Sequence, residues 1–174
     1  LFTGPPGAGR SQAALAFAAA LMCTDPDEIG CGRCEACRLA LAGTHTDLLH
    51  VVPQRVNIPV DYVRRTIVPQ AARLPTVAAW RVIVIEDADR LTERAADALL
   101  KALEEPVPRT VWLLCAPSPS DVLVTIRSRC RPVTLRVPPV EAVAELLERR
   151  EAVRRAAGDD VPGQDARAGR ARAH

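Results

Sequence analysis

A chain of 174 residues, 48% of them hydrophobic, is long enough for one domain with a full core and part of a second. Aromatic residues make up only 3%, so that core has to be assembled from Ala, Val, Leu and Ile. A formal net charge of +2 provides no basic arm for nucleic acid and no patch for a membrane surface, and no run of 18 apolar residues spans a bilayer. With no signal peptide in view, the chain is expected in the cytoplasm, without a membrane partner.

The first element, Leu1–Thr3, reads as the end of a strand with no methionine before it, so an N-terminal segment is expected to be missing. Gly4-Pro5-Pro6-Gly7-Ala8-Gly9-Arg10-Ser11 follows, a phosphate-loop pattern with arginine in the lysine position. Gly4, Gly7 and Gly9 let backbone N–H groups turn inward around phosphates, and the next helix adds its positive end. Lysine is a compact charge that reaches the terminal phosphates; the longer, planar arginine does not replace it cleanly. Weak or absent ATP use is expected, although Ser11 retains a hydroxyl that could hold magnesium. An alternative is a relic loop kept for folding.

The breaker-free, Ala-rich stretch Gln12–Met22 predicts a helix. Four cysteines come next, Cys23, Cys31, Cys34 and Cys37, spaced C-x7-C-x2-C-x2-C. Clustered x2 spacings argue for metal rather than disulfides, and four thiolates close a tetrahedral zinc site that is structural, not catalytic. His45 and His50 are spare candidates that a complete cysteine set does not need. Cys115 and Cys130, far from the cluster, read as small buried hydrophobes.

Apolar runs predict further strands at Leu48–Val52, Val82–Glu86, Val111–Cys115 and Val133–Val137. Helical spacing covers Val60–Leu74, with a kink at Pro69. Thr92 caps a helix that Pro106 stops, and Pro139-Val140 opens another through about Arg150. The strand Val82–Glu86 ends in Glu86-Asp87, the place for a magnesium ligand and a water-polarising carboxylate. The usual order is Asp then Glu; the swap changes carboxylate reach by one methylene at each position, which matters where catalysis depends on positioning. A solvated acidic strand end is the plainer alternative. Ser128-Arg129-Cys130 follows a short helix, where Arg129 could reach a neighbouring subunit's nucleotide with its planar guanidinium. Most of the 23 basic residues are nonetheless expected on solvated surface. From Glu151 the chain reads as an Arg/Ala/Gly-rich tail.

Strands alternating with helices predict an α/β fold with a parallel sheet. Taken in order, the loop Gly4–Ser11, the four-cysteine insertion, Glu86-Asp87-Ala88-Asp89, Ala98-Leu99-Leu100-Lys101-Ala102-Leu103-Glu104-Glu105-Pro106 and Ser128-Arg129-Cys130 resemble the bacterial clamp-loader family of AAA+ ATPases, from Leu1 to about Arg150. The resemblance implies a RecA-like, five-stranded parallel sheet flanked by helices, with the core at 1–138, a zinc module within 23–37 and a helical lid domain beginning at 139–174. Arg10 and the Glu86-Asp87 order point to the family's delta-prime type, whose nucleotide site is degenerate. Ala116-Pro117, where an active ATPase would place a polar sensor, points the same way.

The resemblance further implies that Arg129 is offered in trans to the ATP of an adjacent gamma/tau subunit. It implies gamma/tau and delta subunits as partners, with the sliding clamp and primed DNA met through the complex. No autonomous ATPase activity is expected. Glu104 and Glu105 are read as structural and interface residues. Arg172, in Gly169-Arg170-Ala171-Arg172, resembles the family's second sensor, although Ala157–Arg167 does not read as the ordered helices expected before it. The main alternative is an ATP-hydrolysing gamma/tau-type motor. A zinc-bearing DNA-binding module would need a basic face with stacking aromatics, which the composition does not supply. A third alternative is a fragment that does not fold by itself.

Overall fold

In the computed structural model the described residues are 1–156; Arg172 and the segment Ala157–Arg167 lie outside them. The chain divides into two units, Leu1–Val137 and a second that begins at Pro138. The first unit holds one parallel sheet of five strands: β1 (Phe2–Thr3), β2 (Leu48–Val51), β3 (Arg81–Ile85), β4 (Thr110–Ala116) and β5 (Val133–Thr134), in the order β2-β3-β4-β1-β5. The register aligns Leu48 with Val82, Val82 with Val111, and Phe2 with both Cys115 and Val133.

β3 is buried along its whole length, as expected of a central strand covered on both faces. Side chains alternate across the sheet, so its residues divide between two layers. Val82 and Val84 join Leu113, Cys115, Ala14, Leu15, Ala18 and Met22 under helices α1 (Arg10–Met22) and α2 (Glu35–Leu41). Ile83 and Ile85 join Leu114, Val63, Ile67, Ala95, Leu99 and Ile126 on the other face. That face is covered by α3 (Val60–Tyr62), α4 (Val68–Ala71), α5 (Glu93–Glu104) and α6 (Val124–Arg127). Ala14 and Ala18 have no exposed surface, so α1 lies close against the strands. Phe2 is the one buried aromatic residue among those described, consistent with an aliphatic core.

Several predicted elements change on folding. The helix expected over Val60–Leu74 is interrupted by a π-helical turn at Val63–Ile67, in which the Val68 N–H donates to the Val63 carbonyl five residues back. Pro69 has no N–H, and its ring would press on the carbonyl four residues earlier; widening the preceding turn relieves both problems. The helix stops at Ala71 rather than Leu74. The seven-residue helix α2 lies outside the predicted helices, because it begins inside the cysteine run. Its N-cap is Cys34, whose Sγ accepts from the Cys37 N–H at 3.4 Å. β5 is shorter than Val133–Val137: it is exposed at the sheet edge and has a partner on one side only. Thr92 caps α5 as expected, its Oγ1 accepting from the Ala95 N–H at 3.2 Å.

In the second unit, α7 (Val140–Ala156) runs six residues past the expected end at Arg150. The residues read as the start of a tail continue the helix, because Glu-Ala-Val-Arg-Arg-Ala contains no breaker.

Candidate functional site

The phosphate-type loop connects β1 to α1 at the C-terminal edge of the sheet. Its geometry depends on two glycines. Gly9 adopts φ 76° as the N-cap of α1, a left-handed conformation that residues with a Cβ adopt at a cost. A Cβ on Gly4 would come within 2.6 Å of the Leu135 carbonyl oxygen, so the chain can pass β5 only without a side chain. The Gly4 N–H donates to the Pro117 carbonyl at 3.1 Å, tying the loop to the end of β4. Pro5, Gly7, Gly9, Arg10, Ser11 and Gln12 line a cavity of about 310 Å³.

Arg10 does not extend across this cavity. Its Nη1 donates to the Gly4 carbonyl of its own loop. Glu86 and Asp87 follow β3 at the same edge of the sheet, and each has a partner within the chain. Glu86 Oε1 lies 2.7 Å from His50 Nε2, which comes from the neighbouring strand β2. Asp87, in a left-handed conformation at φ 48°, faces Arg90 at 3.3 Å. Burial pushes the Cys115 thiol up to about 11, and the negative charge of Glu86 adds to the effect. The His50 contact could not be foreseen: His50 and Glu86 are 36 residues apart, and only the β2–β3 register joins them.

The four cysteines form one cluster, with their sulfurs all within 4.8 Å of one another. Cys23 and Cys31 are 3.8 Å apart, and Cys23 and Cys34 are 4.0 Å apart. Zinc–thiolate bonds of about 2.3 Å give tetrahedron edges of about 3.8 Å, so the four sulfurs are close enough to hold a metal ion of that kind and too far apart for disulfides. Local structure places the four cysteines, and Cys31 Sγ accepts from the Cys34 N–H at 3.3 Å. Cys23 ends α1, Cys34 caps α2, and Cys37 is buried in the first turn of α2, its Sγ 3.5 Å from the Ala19 carbonyl. The thiols are electrostatically unequal. Backbone N–H donation, from Thr24 first and then Cys37, lowers Cys34 to about 5, whereas burial pushes Cys37 up to about 12. A bound cation would stabilise all four thiolates together, so metal binding at this cluster would release protons and weaken in acid. His45 is not needed as a ligand: it is buried and accepts the Asp47 N–H at Nδ1, 3.0 Å away.

Full-length protein purified without chelator is expected to carry about one zinc per chain in native mass spectrometry, and Cys34→Ser to carry almost none. Hydrogen exchange in that variant should speed up in α2 and leave β3 protected, because β3 is buried along its length and paired with β2 and β4 on either side.

Arg129 lies apart from the loop, just after α6. Its Nε donates to Glu104 Oε1 at 2.8 Å, its Nη2 donates to the same oxygen, and its Nη1 donates to the Thr125 carbonyl at 2.6 Å. Cys115 is buried as expected, and Cys130 is partly buried against the core.

The structure also contains an unforeseen buried ion pair. Asp47, fully buried before β2, accepts from Arg81 Nη2 at 3.1 Å. It also accepts from the backbone N–H groups of Thr76, Val77 and Ala78 at 2.8, 2.7 and 2.8 Å, and from the Thr76 hydroxyl at 3.0 Å. The pair staples the connection into β3 onto the start of β2.

Among the described residues no helix is long and apolar enough to cross a membrane. The family model described as DNA polymerase III, delta subunit, matches residues 1–139. The chain is 41% identical over 154 residues to DNA polymerase III subunit delta' of Pseudomonas aeruginosa, covering 86% of this chain and 46% of that protein. It is 33% identical over 132 residues to DNA polymerase III subunit tau of Bacillus subtilis, covering 75% of this chain and 23% of that one. The crystal structure of a gamma-subunit-related protein of Thermotoga maritima matches with a TM-score of 0.51 at 33% identity, over 63% of this chain and 34% of that one. The chain thus spans about half the length of the delta' protein it matches. On this family match, and with its RecA-like AAA+ sheet, the chain belongs to the delta-prime family of DNA polymerase III clamp-loader subunits.

Proposed function

We propose that the protein of which this chain is part acts inside a clamp loader as a partner subunit rather than a motor. In this reading it supports ATP-dependent loading of the sliding clamp on primed DNA. Its own nucleotide site is degenerate, and Arg129 is offered in trans to the ATP of an adjacent gamma/tau subunit, with a delta subunit in the same complex. The core is 1–138, the lid domain begins within 139–174, and zinc at Cys23, Cys31, Cys34 and Cys37 stiffens a surface module without reacting. Any DNA contact is made to the backbone, without sequence preference.

The observation that carries this reading is that the charged groups of the loop edge are already engaged inside the chain. Arg10 is turned onto the Gly4 carbonyl, Glu86 onto His50 and Asp87 onto Arg90. An ATP–magnesium complex needs a compact cation reaching across the loop cavity, whereas Arg10 is folded back onto its own loop backbone; Arg129, although paired with Glu104, keeps one N–H of Nη2 for an incoming phosphate. The gamma/tau-type motor keeps one observation in its favour, the open cavity beside Ser11.

Equilibrium titration of the full-length subunit with labelled ATP and magnesium separates the two readings. The expected result is no saturable binding up to about 1 mM, the level below which affinity exceeds about 4 kcal/mol. Tight binding that Ser11→Ala abolishes, accompanied by turnover, would establish the motor instead.

A further inference from the structure

We propose that Glu104 is a positioning residue for Arg129, holding its guanidinium in one direction on the subunit surface; this rests on the reading of Arg129 as a group offered to a neighbour's nucleotide. Glu104 is the last residue of α5, and Arg129 follows α6, which packs against α5. The guanidinium has five N–H donors. Nε and Nη2 both donate to Glu104 Oε1, and Nη1 donates to the Thr125 carbonyl at 2.6 Å and to Ser128 Oγ at 3.3 Å. Four donors are therefore engaged, leaving one N–H, on Nη2, directed away from these partners.

This arrangement restrains a surface arginine through two contacts to the Glu104 side chain and two at the end of α6. The side chain is partly exposed at 32%, and its long stem would otherwise sample many rotamers. Groups acting on a transferring phosphoryl must be placed to within about an ångström, and a misplacement of that size costs about 10²-fold in rate. The Glu104 carboxylate and the Thr125 carbonyl grip the guanidinium from two elements of the same packed layer. They fix its plane before a neighbour arrives. The carboxylate also offsets part of the positive charge, so the gain from fixed geometry is partly cancelled and the net effect of Glu104 is modest. Glu104 never contacts the nucleotide in this scheme; it acts only through Arg129.

The test is DNA- and clamp-stimulated ATP hydrolysis by a clamp loader in which only the gamma/tau site facing Arg129 is left competent, reconstituted with full-length subunit carrying Glu104→Ala, Glu104→Gln, Arg129→Ala, or Glu104→Ala with Arg129→Ala. Glu104 is half exposed and ends its helix, so alanine there preserves the fold, and gel filtration verifies assembly. The expected result is a three- to tenfold lower kcat for Glu104→Ala, with KM for ATP changed less than twofold. Glu104→Gln, which keeps an acceptor oxygen, should recover at least half of that loss. The double variant should be no slower than Arg129→Ala alone, since a residue acting only through Arg129 has no effect without it. Multiplying effects in the double variant overturn the proposal, as does an unchanged or faster rate in Glu104→Ala while Arg129→Ala is slow. If Arg129→Ala itself is as fast as wild type, the reading of Arg129 fails, and the role of Glu104 fails with it.

Discussion

Replacing Arg129 with alanine in the full-length subunit is expected to slow ATP hydrolysis at the neighbouring gamma/tau site by on the order of 10³-fold, while the complex still assembles. In phosphoryl transfer the protein supplies mainly position and charge, and a guanidinium placed against the developing charge of the γ-phosphate is among the largest single contributions. Lysine at position 129 should recover little. Its point charge cannot reproduce the planar fork that is held here between Glu104 and Thr125. The affected site must be isolated, because other sites in the complex dilute the loss in a steady-state rate. Single-turnover hydrolysis with a complex carrying one competent site does this. A wild-type rate with verified assembly would reduce the subunit to a scaffold and return attention to its own loop.

Asp47→Ala is expected to destabilise the core by about 3–5 kcal/mol, the range for removing one partner from a buried ion pair. The substitution leaves Arg81, itself buried, without its carboxylate, and removes the acceptor of three backbone N–H groups. Asp47→Asn should be milder, since it keeps an acceptor oxygen but loses the charge. Chemical denaturation of the full-length protein measures both.

The same residue predicts a pH dependence. Burial alone would raise the Asp47 carboxyl, but the N–H groups of Ala78, Val77 and Thr76 outweigh it, so its folded value lies below the ordinary one. A carboxylate lowered on folding contributes its full stability above its unfolded pKa of about 3.9, and that stability is lost as pH falls through the lower folded value. The wild-type protein should therefore lose stability below about pH 4, and Asp47→Asn should lack this component. A parallel acid dependence in the two proteins would show that Asp47 is not the responsible group.

The elements that could be read from local pattern were those whose reasons are local. The loop Gly4–Ser11 is legible because its glycine spacing between a strand and a helix is a local pattern, and the Thr92 cap because a hydroxyl three residues before a free N–H is a short-range device. The cysteine cluster was evident because ligand spacing along the chain limits which sulfurs can meet. Boundaries were less certain where neighbours decide them. Pro69 reads as a kink, yet the helix absorbs it in a π turn because Val63 and Ile67 are held in the core on either side of that turn. β5 shortens because it has a partner on one side only.

Composition, motif order and apolar periodicity determined by themselves that this chain forms an aliphatic α/β core with a phosphate-type loop, a four-sulfur cluster and an arginine after a short helix. Each of these rests on residues close together in sequence, where stereochemistry and ligand spacing leave few alternatives. The tertiary structure alone decided how those groups are engaged: His50 on Glu86 across 36 residues, Arg81 on Asp47 across 34, and Arg129 on Glu104 across 25. These contacts depend on strand register and helix packing. A charged side chain has no preferred partner along the chain until the fold brings one within reach, and for the buried Arg81–Asp47 pair burial then makes that partner indispensable.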